Sequence, residues 1–186
     1  EYVVITSVTR DDIPDGGAGI FKKTVEEIRK RGFSGRIEVL IPDFNGDEKS
    51  IETVVVSSPD VISHNIETVE RLYPVLRDKV DYRRSLGVLK KIKELNPEQK
   101  TKSGIMLGLG ETEDEILETL QDISETGCEF LSIGQYLAPL KVSYPVKRYF
   151  SPDEFSHYRE KAYSCGFKYV ESGIYVRTSY NVSSYF

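Results

Sequence analysis

Several residue types suited to chemistry stand in short polar runs, each directly after a β-branched segment. The first run is Thr6-Ser7-Val8-Thr9-Arg10-Asp11-Asp12, continuing to Asp15-Gly16-Gly17. It gathers hydroxyls, carboxylates and one guanidinium, groups that can receive an ammonium or ribose hydroxyls. The blander reading is a capped loop between a strand and a helix. Asp43 follows the next apolar segment, and His64-Asn65-Ile66-Glu67 the one after. Asn65 donates and Glu67 accepts, so the pair could bracket a ribose diol, although on spacing alone it reads as a helix cap. His64 has no cysteine or second histidine at ligand spacing, which argues against a metal role. Gly104-Ile105-Met106-Leu107-Gly108-Leu109-Gly110-Glu111 is a glycine-rich strand end that would let a flat ring or a phosphate approach the backbone. It has no Gly-Lys-Ser/Thr and no G-x-G-x-x-G, so it is neither a P-loop nor a dinucleotide fingerprint, and a tight turn remains open. Arg177-Thr178-Ser179-Tyr180 has no generic structural reason to exist near a C-terminus.

These runs need elements to hold them, and the chain supplies an alternation of periods. Strands are expected at 2–8, 37–41, 61–63, 101–109, 130–137 and 168–171, and helices at 18–31, 47–55, 82–95, 112–125 and from 151 to Gly166. Ile20, Phe21, Val25 and Ile28 mark one buried helix stripe, and Leu86, Leu89, Ile92 and Leu95 another. Thr112 with Glu115 makes a capping box. Ser151 precedes Pro152 as cap and first helical residue. About six strand–helix units imply a parallel α/β sheet, either doubly wound or a barrel segment, with ligands beyond the carboxyl ends of the strands.

Composition narrows the class. With 186 residues, 39% hydrophobic and 30% charged, the chain has the size and balance of one domain with its own core. A net charge of −5 and a pI near 5.2 exclude a broad nucleic-acid footprint. No apolar run reaches membrane-span length, and 1–6 is not a signal peptide. The sequon at Asn181-Val182-Ser183 has no meaning in a cytoplasmic chain. Cys128 and Cys165 form neither a CxxC pair nor a disulfide framework, and read as buried, inert thiols in a reducing compartment.

Taken together, VVITSVTRDDIPDGGA, IEVLIPDF, SHNIETVERLY, DYRRSL, TKSGIMLGLGET, IGQYLAP, PVKRYFSPDEF and SGIYVRTSY resemble the lipoyl synthase family of radical S-adenosylmethionine enzymes over nearly the whole chain. Biotin synthase shares only the looser frame around His64-Asn65 and 82–85. The resemblance implies a partial (βα)6 TIM-like barrel over 1–172, missing its first strand, and a tail over 173–186. It implies two [4Fe-4S] clusters and S-adenosylmethionine, cleaved to a radical that abstracts hydrogen from an octanoyl-lysine, with an auxiliary cluster giving up sulfur at C6 and C8.

It also implies roles. Gly104, Gly108, Gly110 and Glu111 would pack beside the adenosine, although the isoleucine of the motif stands one position early. Asn65 and Glu67 would be ribose-side contacts, and Arg84 the partner of the methionine carboxylate. Gln135 and Tyr136 would line the adenine or substrate side. Thr6, Ser7, Arg10 and Asp12 would sit near the methionyl end or the substrate, with Arg177 on the substrate side. Ser179 would ligate the auxiliary cluster, Thr178 being the alternative because threonine here replaces the family's first serine. The family's two cysteine triplets are absent, so this reading expects a fragment of a longer chain, inactive alone, with an exposed sheet edge and poor solubility. Expected partners are an octanoylated lipoyl carrier domain or H protein, docked through Lys141, Lys147 and Arg148, and a ferredoxin or flavodoxin, in the cytoplasm or an organellar matrix. Two other readings stay open: a module without clusters that binds S-adenosylmethionine or the carrier, and a sulfur-inserting enzyme related to biotin synthase.

Overall fold

The computed structural model describes residues 1–179, so Tyr180 and the sequon lie outside the described residues. Six strands form one sheet: β1 (Tyr2–Thr6), β2 (Arg36–Leu40), β3 (Val61–Ser63), β4 (Lys100–Leu107), β5 (Phe130–Gln135) and β6 (Tyr169–Gly173). All neighbours pair in parallel, in the order β1-β2-β3-β4-β5-β6. A doubly wound sheet reverses its order at a switch point, and this one never does. Right-handed crossovers in a strictly sequential sheet put every helix on one face and leave the other concave. This is the open form of a TIM-like barrel, because β1 and β6 do not pair with each other among the described residues.

Helices α1 (Ala18–Lys30), α2 (Glu48–Val55), the single turn α3 (Tyr73–Leu76), α4 (Tyr82–Leu95), α5 (Glu113–Glu125) and α6 (Pro152–Ser164) complete the chain. Their starts are chemically explicit. Asp47, Asp81, Thr112 and Ser151 each accept a backbone N–H of the first turn, and Thr112–Glu115 and Ser151–Glu154 close reciprocal capping boxes. Phe21, Val25, Leu86, Leu89 and Ile92 are buried, whereas Ile20 and Leu95 face solvent at the edges of their stripes. Val8 lies beyond β1 and is 77% exposed.

Register separates the two faces of the sheet. Ile37, Val39 and Ile62 join α1, α2 and α4 in one apolar cluster, and Ile105, Leu107, Leu131, Ile133 and Val170 join α4, α5 and α6 in another. Alternation then turns Val4, Glu38, Leu40, Ser63, Lys102, Gly104, Met106, Ser132 and Gly134 to the concave side. The concave floor is closed by Val61 and Phe130, with Tyr2, Val4 and Tyr169 against them.

Candidate functional site

The carboxyl ends of β1 to β5 open into three adjoining cavities. The first, of about 390 Å3, is lined by Thr6, Ser7, Thr9, Asp11, Asp43, His64, Asn65, Glu67, Arg77 and Lys79 among others. The second, of about 300 Å3, lies on the concave face between Thr6, Leu40, Asn65, Glu67, Gly104, Met106, Ser132 and the tail residues Val176 to Ser179. The third, of about 430 Å3, is bounded by Glu67, Leu76, Arg77, Met106, Leu109, Tyr136 and Tyr144. Glu67 belongs to all three walls.

Asn65 and Glu67 are held in place by backbone. The Glu67 N–H donates to the Gly104 carbonyl at 2.9 Å and its carbonyl accepts from Met106 at 2.8 Å, an isolated parallel bridge past the end of β3. Glu67 takes φ 68°, a left-handed conformation that costs a non-glycine residue energy and clusters at functional positions. Asn65 Nδ2 donates to Glu67 Oε1 at 3.1 Å and to Thr178 Oγ1 at 2.9 Å, while Asn65 Oδ1 is buried without a partner. Desolvation pushes the Glu67 carboxyl above its ordinary range, with Asn65 and Arg77 pulling back. A Cβ on Gly104 would stand 3.0 Å from Asn65 Oδ1 and crowd it, so glycine here leaves that oxygen room.

In the first cavity, His64 is buried, with Nδ1 at 2.9 Å from the Ile41 carbonyl and Nε2 unpartnered. A carbonyl can only accept, so the proton is on Nδ1 and Nε2 keeps its lone pair. Burial drives the imidazole down to about 4, so the ring is neutral. Arg77 lies over the Tyr73 ring, 5.3 Å from its centroid, and donates to the Tyr73 hydroxyl at 3.2 Å.

The structure sorts the residues singled out in the sequence. Thr6, Ser7, Asn65, Glu67, Gly104, Tyr136, Arg177 and Ser179 line one of the cavities. Arg10 and Asp12 bind each other at 2.6 and 2.7 Å near the surface, and their neighbours Thr9 and Asp11 line the first cavity instead. Arg84 donates to Asp43 Oδ2 at 2.7 Å and to the Lys79 carbonyl at 3.0 Å, so it braces two lining residues and does not itself line the cavity. Glu111 folds back onto the Gly108 and Leu109 N–H groups at 2.5 and 2.8 Å. Gly108 and Gly110 have φ of 108° and 102°, so they make the turn and line none of the three cavities.

Gln135 is saturated within the protein. Its Nε2 lies 3.0 Å from each of the Leu107, Tyr136 and Arg148 carbonyls, and Oε1 accepts from the Phe150 N–H at 2.9 Å. It clamps the 137–150 strap to the sheet. Arg77 and Lys79 are cavity residues that the sequence reading did not single out, and His64, discounted there only as a metal ligand, lines the first cavity as a neutral ring. The signal was a run of three charges, Arg77-Asp78-Lys79, between two helices.

Beneath the second cavity, Lys102 and Glu38 form an ion pair at 3.2 Å with both side chains wholly buried. Tyr2 and Ser63 hydroxyls donate to the same carboxylate at 2.6 and 2.5 Å, and Lys102 Nζ also donates to the Thr178 carbonyl. Among the described residues no three His, Cys, Asp or Glu side chains are grouped to hold a metal. Cys128 is buried with its thiol pushed up to about 12, and Cys165 packs partly buried on the helix side. The described residues therefore do not provide a ligand set for an iron–sulfur cluster. For a nucleoside they fit: an orphaned acceptor and a carboxylate converge beside an aromatic, apolar recess.

Residues 1–123 match the Radical SAM superfamily, and the chain belongs to it. Over 99% of its length it is 57% identical to a lipoyl synthase of Geotalea uraniireducens, and over 96% it is 55% identical to one of Caldicellulosiruptor saccharolyticus. The chain spans 65% and 63% of those two relatives. Methylornithine synthase shares the fold with a TM-score of 0.69 at 13% identity, over 97% of this chain and 61% of that one. No described helix is long and apolar enough to cross a membrane.

Proposed function

We propose that this chain is the S-adenosylmethionine- and substrate-binding part of a lipoyl synthase, which inserts sulfur at C6 and C8 of an octanoyl-lysine on a lipoyl carrier domain. The observation that carries the reading is the acceptor pair at the wall common to the cavities. Asn65 and Glu67 stand side by side on that wall, Asn65 Oδ1 is buried without a partner, and a vicinal ribose diol offers two donors. S-adenosylmethionine bound there would supply, with its cluster, the radical that removes hydrogen from an unactivated carbon.

The chain's own side chains then divide the work. Tyr136, Tyr144, Met106 and Leu109 give the base an aromatic and apolar wall. Arg77 and Lys79 bring positive charge to the first cavity for a carboxylate, while His64 Nε2 and Asp11 accept from an ammonium. Arg84 positions this end through Asp43. The second cavity lies between that ribose position and Ser179, so an acyl chain within it would have the radical source on one side and the tail serine on the other. Val4, Leu40 and Met106 line it without charge. Ser179 is the oxygen ligand assigned to the auxiliary cluster, whose cysteines, like those of the radical cluster, the described residues do not contain.

Carrier docking falls to the strap after β5. It exposes Leu140, Val142 and Tyr149, carries Lys141 and Lys147, and has no acidic residue from 130 to 150. A reduced ferredoxin or flavodoxin would supply electrons, in a cytoplasmic or matrix compartment. The test is a chimera in which the N-terminal, cysteine-bearing part expected of a lipoyl synthase, taken from the Geotalea relative, precedes the chain. After iron–sulfur reconstitution it should convert an octanoylated carrier domain to the lipoyl form, read by mass. Failure of a folded, cluster-bearing chimera to do so would refute the assignment.

A further inference from the structure

We propose that Lys102, oriented by Glu38, is a positioning residue that seats the C-terminal segment on the concave face and so places Ser179 at the second cavity. Only the consequence for Ser179 rests on the functional reading above. The seat itself is a matter of contacts. A lysine that is fully buried on the inner face of a sheet is rare unless paired. Here the partner carboxylate is also fully buried, and the Tyr2 and Ser63 hydroxyls occupy its remaining lone pairs. Glu38 is thereby fixed from β1, β2 and β3 at once, and it aims the ammonium across to the tail.

What the ammonium meets there is main chain. It donates to the Thr178 carbonyl, so the contact fixes the path of the backbone whichever side chain stands at that position. Asn65 holds the Thr178 hydroxyl, and the Val176 carbonyl lies so close over Gly134 that a Cβ there would overlap it. The Val176 N–H closes a turn onto the Gly173 carbonyl at 3.1 Å. Three points thus bring the segment into the half-barrel, and Lys102 is the charged one. A buried ion pair adds little net stability compared with well-packed apolar residues, because desolvation offsets the attraction. Its presence on this face is explained better by what it holds than by what it stabilises.

The test is hydrogen exchange by mass spectrometry on the 186-residue chain. Lys102→Met alone would leave Glu38 charged and unpaired, so the informative variant is Glu38→Gln with Lys102→Met. Amides in 174–179 should exchange about tenfold faster or more, as expected for loss of a charge-assisted anchor, while the β4 peptide 100–107 keeps its protection. Glu38→Gln alone retains the amine and should keep the tail within about threefold of the parent. Unchanged tail exchange in the double variant overturns the proposal. So does equal acceleration in tail and β4, which would make the pair a matter of core stability only. The readout needs neither cluster nor turnover: if the tail is released as expected but the parental chimera forms no lipoyl product, the functional reading fails and the seat stands.

Discussion

Acidification should destabilise this protein through His64 in particular. The unfolded imidazole titrates near its usual value of about 6.5, whereas the buried ring is driven down to about 4. A folded-state pKa below the unfolded one means that, between those values, the unfolded chain binds a proton the native chain refuses. Stability is therefore complete above the unfolded pKa and falls as the pH drops toward the folded one. The full shift corresponds to about 3 kcal/mol, and between about pH 7 and about pH 5 the loss from this group is about 2 kcal/mol.

The perturbation is His64→Gln, which can still donate to the Ile41 carbonyl but does not titrate. Urea midpoints and slopes at the two pH values give four stabilities. Carboxylates elsewhere, such as Glu115, held down to about 2 by Arg71, contribute equally to both proteins and cancel in the difference. The parent should lose about 2 kcal/mol more than the variant on acidification. Parallel losses would refute the reasoning, and with it the neutral Nε2 acceptor in the first cavity.

Three further outcomes follow from named contacts. Gln135→Leu removes the clamp on the strap and leaves the buried Phe150 N–H unpaired; it should cost about 2–4 kcal/mol in a urea melt and raise proteolytic nicking within 137–150, and an unchanged melt would contradict the clamp. Gly134→Ala places a methyl against the Val176 carbonyl, and should weaken tail protection in hydrogen exchange without altering α4 or α5; wild-type tail exchange would show that the close approach is not needed. Arg77→Leu should weaken S-adenosylmethionine binding at least about tenfold by calorimetry, whereas Arg10→Leu, whose fork is already committed to Asp12, should change it less than about threefold; the reverse ranking would move the methionyl end away from Arg77.

Much of the architecture was legible because its signals are local. Period-2 and period-3.6 apolar spacing, the caps at Thr112 and Ser151, and Gly32 and Gly166 set the elements to within a residue or two. The single turn Tyr73–Leu76 was not legible, since four residues carry no period. Within the site, parity would have helped more than composition. In β5 the inward positions are Phe130, Ser132 and Gly134, so Gln135 must point to the helix side, where it became a clamp. The same alternation puts Glu38 and Lys102 inside, each flanked in its strand by residues that face the helices. Arg84 was the harder case. Arg83 and Arg84 are adjacent on α4, and only the loop carrying Asp43 decides that one fork turns toward the cavity wall and the other toward Glu70.

The proposed function asks Asn65 to serve both a ribose and the tail, and its valences allow it. A carboxamide has two N–H donors and one oxygen acceptor. Both donors are used within the protein, one on Glu67 and one on the Thr178 hydroxyl, and the oxygen is left over. A ligand hydroxyl that reached this buried oxygen would not displace the tail, and the carboxylate beside it would take the neighbouring hydroxyl. Were the amide flipped, its oxygen would face the Glu67 carboxylate and repel it. The orientation is thus imposed by Glu67, itself held in a strained left-handed conformation by Gly104 and Met106. Tail and nucleoside would then be held together, as the proposed reaction requires.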